Sequence, residues 1–229
     1  MREPWRNAVG MLTAFFPEQS VDWVNQLFPG KSKELAVIGK MALTGMNSPL
    51  AGTCGRLFDA VSAILGLVAV SGYDGEAAIR LSELAAFARV GEEEGILPFG
   101  YAIRDNGEKQ ALELDMSETL RSVAEERLAG TPVEELALRF HETVARAAVE
   151  LLQRSLEKEG LTAACIPKVM LSGGSFHNPY LARRIPALLR KRGMESYRHR
   201  LVPAGDGGLS LGQLIIAAHA AAMRGTGNR

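Results

Sequence analysis

Apolar residues recur every three or four positions through the first third of the chain, the period of helices that bury one face. Trp5, Val9, Leu12, Phe15 and Phe16 share one such face, and Pro17 interrupts it. Val21, Trp23, Val24, Leu27 and Phe28 carry an apolar face on to Pro29-Gly30, so residues 4–28 predict one or two helices. A short helix follows at 33–43, then a loop at 45–55 containing Asn47, Ser48, Pro49 and Gly52. Leu57, Val61, Ile64 and Leu65 predict a helix over 56–67. A turn at 71–75 leads into another helix at 76–90. The pattern then shortens. Residues 99–104 and 110–114 read as strands, and Asp105-Asn106-Gly107 between them predicts a hairpin turn. Helices are expected at 117–128, with Ser117 as its cap, and at 133–157. The last third alternates: strand 167–171, helix 179–192, strand 196–202, and an alanine-rich closing helix at 209–223 that should be buried. Strands separated by helices predict parallel pairing. The final residues, 225–229, should fray.

Two glycine-centred segments about thirty residues apart punctuate that alternation. Leu171-Ser172-Gly173-Gly174-Ser175-Phe176-His177-Asn178 gives the order strand, tight glycine turn, helix. Glycines there let a ligand approach the backbone, and a helix N-terminus favours negative charge. Asp206-Gly207-Gly208-Leu209-Ser210-Leu211-Gly212-Gln213 places an acid at a turn just before the closing helix. Together they suggest a nucleotide site with a possible metal-binding carboxylate beside it. Asn178 offers both a donor and an acceptor, which suits a ribose hydroxyl or a carbonyl. Each segment also has a plain structural reading. The first is a strand-to-helix connection, and Asp206 is a helix cap.

Composition narrows the field. Of 229 residues, 47% are hydrophobic, enough to build a core in one large domain or two small ones. Twenty-six basic and 26 acidic residues balance, so no global field draws the chain to nucleic acid or an anionic membrane. Cys54 and Cys165 are the only cysteines, too few for a disulfide framework, and both are expected to be structural. No signal-peptide order and no membrane-length apolar run is present, so a reduced, cytoplasmic protein is expected.

Elsewhere, Asp59 lies early in a helix behind a glycine loop, where it could accept hydrogen bonds from a sugar or simply favour the helix dipole. The loop 72–75 could bring Gly75 close to a ligand. The four histidines (His141, His177, His199, His219) form no His-x-x-x-His pair, so a complete metal site within this chain is not expected. His141, inside the long helix, reads as a packing residue. No nucleophile-elbow serine and no Walker-type loop occurs.

Several segments together resemble the C-terminal region of the hydrogenase-maturation carbamoyltransferases, the HypF family. They are Arg2-Glu3-Pro4-Trp5-Arg6, Gly55-Arg56-Leu57-Phe58-Asp59-Ala60-Val61, Tyr73-Asp74-Gly75-Glu76-Ala77-Ala78 and Phe140-His141. Both glycine-centred segments complete the set, and all follow the family's order. The same region is similar to the fold of tRNA threonylcarbamoyl transferases (TsaD/Kae-like), itself related to actin and sugar kinases.

The resemblance implies an α/β lobe of the actin-like, ASKHA-type class: a small mixed sheet flanked by helices. It implies one Kae-like lobe over 1–229, with a helical part at 1–95 and an α/β part at 96–229. It also implies a function. Carbamoyl phosphate and ATP become carbamoyl-adenylate, and the carbamoyl group passes to the C-terminal cysteine of a HypE-like partner. Residues matching Asp59, Gly75, Gly173, Gly174 and Asn178 would line the adenylate. Asp206 would ligate a divalent metal, zinc or iron, together with histidines of a first lobe. The chain departs from the family in lacking that histidine pair and the family's other N-terminal regions. Gly205 also stands where an asparagine usually precedes Asp-Gly-Gly. The expectation is therefore one wall of a carbamoyltransferase site, inactive alone, whose partners are a HypE-like protein and the missing N-terminal regions. The alternatives are a non-catalytic nucleotide-binding or scaffolding lobe, and a sugar-kinase-like phosphotransferase, for which no catalytic-base and phosphate-loop pair is present.

Overall fold

The computed structural model describes residues 2–49, 51–87, 95–107, 111–161 and 168–226. The N-terminal part is helical: α1 (Pro4–Phe15), α2 (Ser20–Leu27), α3 (Ser32–Thr44), α4 (Cys54–Ile64) and α5 (Glu76–Phe87). Pro17 does separate α1 from α2. Gly45 ends α3 in a left-handed conformation (φ 71°). The last residues expected in α5, 88–90, lie outside the described residues, as do Gln110 and Pro167.

A hairpin follows, β1 (Ala102–Asn106) paired antiparallel with β2 (Ala111–Asp115). It is displaced from the expected position. Asp105 and Asn106, expected in the turn, are paired in strand β1 with Leu112 and Ala111. Phe99, expected in the first strand, belongs to the core instead. It is buried, and its backbone N–H donates to Thr143 Oγ1 at 2.8 Å. α6 (Ser117–Leu128) is not capped by Ser117. The carboxylate of Asp115 accepts from the Ser117 N–H at 2.9 Å instead.

α7 (Val133–Lys158) runs through the middle of the molecule and packs on α5, α6, β2 and α8. β3 (Lys168–Leu171) and β4 (Glu195–Arg198) pair in parallel, Leu171 opposite Arg198, with α8 (Pro179–Lys191) as the crossover. One contiguous core, from Trp5 in α1 to Met194 before β4, joins the helical and α/β parts. The result is a helix-rich α/β lobe with, among the described residues, two small two-stranded sheets.

The closing helix α9 (Leu209–Thr226) corrects an expectation. Leu214, Ile215 and Ile216 are each at least 60% exposed, and the helix meets little beyond the turn that precedes it. Its apolar residues were read as core, but nothing described in this chain covers them. No helix among the described residues is long and apolar enough to cross a membrane. Contiguous apolar exposure of this kind binds hydrophobic dyes. Leu214→Lys with Ile215→Lys should therefore lower 8-anilinonaphthalene-sulfonate fluorescence by at least about half. Unchanged dye binding would show that these side chains are covered in solution.

Candidate functional site

The site begins where β3 ends. Leu171 is buried, and the chain then turns through Ser172 and Gly173. Gly173 has φ 106° and ψ 161°, a region essentially reserved for glycine. Its N–H donates to Ala204 O at 2.7 Å, which ties the turn to the second glycine segment. A single 3-10 turn, Gly174–His177, follows and leads into α8. Asn178 is the cap of α8: its side-chain oxygen accepts from the N–H groups of Tyr180 (3.0 Å) and Leu181 (3.2 Å). What remains of Asn178 for a ligand is its NH₂ group. An added Cβ at Gly174 would meet nothing within 4 Å, so the turn faces open space there.

The second segment is packed against the first. Asp206–Gly208 forms another 3-10 turn directly before α9. A Cβ on Gly205 would lie 2.9 Å from His177 Nε2 and 3.4 Å from Gly174 Cα. One on Gly208 would lie 2.7 Å from the backbone oxygen of Pro203, which allows no side chain without moving the turn. The absence of the asparagine that the resemblance implies at 205 thus has a local counterpart: the His177 ring fills that space. Ser172 Oγ donates to Ala204 O (3.3 Å) and lies 3.3 Å from His199 Nε2. Between the two turns and α9 is a cleft of about 450 Å³, lined by Ser172, Gly173, His199, Gly205, Asp206 and Gln213 among others. Ligands of open α/β sheets bind at this carboxyl end of the strands.

Asp59 and Gly75 are placed elsewhere. Asp59 is buried in α4, with Arg56 Nη1 2.9 Å from its Oδ2, an ion pair that lacks hydrogen-bond alignment at that oxygen. Burial pushes its carboxyl up; Arg56 opposes the shift and Asp74 adds to it. Gly75 (φ 81°) opens α5 beside a smaller hollow of about 250 Å³ lined by Arg2, Ser71, Gly72, Tyr73 and Asp74. So the residues expected to share one wall form two groups: Gly173, Gly174, Asn178 and Asp206 in one, Asp59 and Gly75 in the other. α4 links them, because the Ser175 side chain of the glycine turn acts on the thiol of its first residue, Cys54, and opposes the effect of burial there. Burial pushes the Cys54 thiol up, in keeping with a structural role. Cys165 lies outside the described residues.

The sequence offers His199 only as one of four histidines without a His-x-x-x-His pair. The parallel register places it next to Ser172, one step past the Leu171–Arg198 pair, so its position follows from assuming that register. Asp206 stands without a metal set: among the described residues, no three of His, Cys, Asp and Glu converge on one point. These residues do not by themselves fit a divalent ion.

Comparisons with known proteins show the family to which this fold belongs. The family described as carbamoyltransferase, Kae1-like domain, second subdomain matches residues 1–213. Carbamoyltransferase HypF of Rhodobacter capsulatus is 35% identical over 217 residues, covering 94% of this chain and 25% of that protein. HypF of Rhizobium leguminosarum bv. viciae is 34% identical with the same coverage. The chain thus spans a quarter of the length of these two relatives. A crystal structure of full-length HypF in a phosphate- and nucleotide-bound form superposes with a TM-score of 0.79 at 31% identity, over 95% of this chain and 31% of that one. HypF of T. kodakarensis shares the fold at a TM-score of 0.70 and 24% identity, over 92% of this chain and 26% of its own.

Proposed function

The chain belongs to the HypF carbamoyltransferase family as its second Kae1-like subdomain, and from that premise we propose that it forms one wall of a carbamoyl-adenylate site. The observation that carries this reading is the pair of interlocked glycine turns at the carboxyl end of β3, with open space in front of Gly174 and the Asp206 carboxylate beside it. The nucleotide- and phosphate-bound state of a related HypF supports it. In this reading the Gly173–Gly174 turn lets the adenylate approach the backbone, and the Asn178 NH₂ group donates to it. Asp59 and Gly75 hold the opposite end of the same ligand.

The reaction is a group transfer. Carbamoyl phosphate, ATP and one water give carbamoyl-adenylate with release of phosphate and pyrophosphate, and the thiol of the C-terminal cysteine of a HypE-like partner then displaces AMP from the carbamoyl carbon and gives up its proton. Both steps need a second wall to orient the reactants, because misplacement by an ångström is costly. The 229-residue chain alone is therefore expected to make no carbamoylated product, and the missing N-terminal regions to restore turnover when joined to it. A second reading is a lobe that binds nucleotide without taking part in transfer.

Gly174→Val tests the site. Its side chain enters open space, so the melting temperature should stay within about 2 °C. In the protein that joins this chain to its first subdomain, adenylate affinity measured by calorimetric titration should fall at least about a hundredfold. Unchanged affinity in the folded variant would sink the proposal.

A further inference from the structure

Glu142 is a fully buried carboxylate in the middle of α7, and three side chains bond to it. Arg184 grips it with two parallel bonds, Nε to Oε2 and Nη2 to Oε1, each 2.7 Å. Arg146 Nε donates to Oε1 at 2.6 Å, and the Tyr180 hydroxyl donates to Oε2 at 2.9 Å. These bonds hold the Glu142 carboxyl below the usual carboxylate range even though burial opposes it. Two of the three partners, Tyr180 and Arg184, lie one turn apart on α8 and face α7.

Tyr180 is the second residue of α8, immediately behind the glycine turn. Its N–H is held by Asn178 Oδ1 (3.0 Å), and the Asn178 N–H is held by Ser175 O (3.2 Å). A continuous path of bonds therefore runs from the Glu142 carboxylate through Tyr180 and Asn178 to the Gly174–His177 turn. We propose that Glu142 is a positioning residue for that turn: it fixes the first turn of α8 in rotation and height, and so sets where Gly173 and Gly174 stand against the Asp206 segment.

The chemistry of the contact favours this over a contribution to stability alone. Buried ion pairs are commonly replaceable by apolar side chains without loss of stability. The other buried residues of α8, Leu181, Ile185, Leu188 and Leu189, are apolar, and apolar packing tolerates small sliding. A two-pronged guanidinium–carboxylate pair is directional and does not. The interlock downstream leaves little slack, since Gly174 Cα lies only 3.4 Å from the place a Gly205 Cβ would occupy.

The functional part of this inference rests on the nucleotide reading of the glycine turns; the positional part does not, and the two are read separately. The measurement is amide hydrogen exchange, followed by NMR on the 229-residue chain, at Gly173, Phe176, Asn178, Tyr180 and Leu181. Tyr180→Phe removes one hydroxyl, and Glu142→Gln keeps the shape without the charge. Val24→Ala is the control, a core truncation in α2, far along the fold from α8. Exchange at the turn should quicken at least about tenfold in Tyr180→Phe and Glu142→Gln relative to α1, and Val24→Ala should not reproduce that selectivity. Turn amides that keep their wild-type ratio in folded Tyr180→Phe overturn the proposal, whether or not Glu142→Gln folds. So does an equal quickening in Val24→Ala. A loosened turn with unchanged adenylate affinity in the two-subdomain protein overturns its part in the site, while Gly174→Val judges the nucleotide reading on its own.

Discussion

Glu142→Ala is expected to destabilise the chain by about 3–5 kcal/mol, the usual cost of removing one partner from a buried charge pair. Arg184, whose side chain is 5% exposed, would lose its two-pronged acceptor inside the core, and the Tyr180 hydroxyl and Arg146 would lose theirs. A domain of this kind holds roughly 5–15 kcal/mol in all, so the variant should stand close to unfolding at ambient temperature. Urea titration monitored by circular dichroism would read the loss as a lower midpoint at unchanged slope. The double variant Glu142→Leu with Arg184→Met should recover much of it, because the charge left behind, rather than the lost contact, carries most of the cost. A single variant as stable as wild type would show that water reaches Arg184.

Acid should weaken the fold through His141. The ring is fully buried among Phe58, Phe140 and Tyr180, with Nδ1 2.7 Å from Ala137 O and Nε2 without a partner. Burial pushes its pKa down from 6.5 to about 4, against a smaller opposing effect of the Ala137 carbonyl. The folded form therefore resists a proton that the unfolded form accepts. Above the unfolded value the two bind protons equally and stability is at its full level. As pH falls from 6.5 towards 4 the unfolded state gains a proton that the folded state does not, and stability drops. At about 1.4 kcal/mol per pKa unit, the loss reaches about 3 kcal/mol by pH 4. Asp59, whose carboxyl is raised by burial, works the other way at the acid end and returns part of this. Glu142, the neighbouring carboxylate, is held low and keeps its charge over most of the window. His141→Phe should flatten the dependence in urea titrations across that range. A variant that retains the wild-type acid slope would remove His141 as its source.

Much of the framework was legible because local chemistry dictated it. Pro17 interrupts a helix and Gly45 ends one, and the last third predicted its parallel strands from simple alternation. The glycine turns were legible for the same reason, since φ 106° at Gly173 is a requirement written into one residue. Long-range relations were not legible. The hairpin moved because Phe99 found a better place against α7 than in a strand. Glu142 carries no local signal in the sequence, although it sits among the buried residues of α7, and its partners 38 and 42 positions away explain it. α9 failed for a different reason. Apolar composition states that a helix seeks cover but does not say that the cover is in the same chain.

That uncovered helix makes the stability of this chain a collective quantity. Whatever associates with α9 in the folded form and not in the unfolded one adds to stability by mass action, growing with the logarithm of its concentration. The melting temperature should then drift with protein concentration, with added surfactant and with the presence of a covering subdomain. A single value for the chain on its own would describe the solution as much as the molecule.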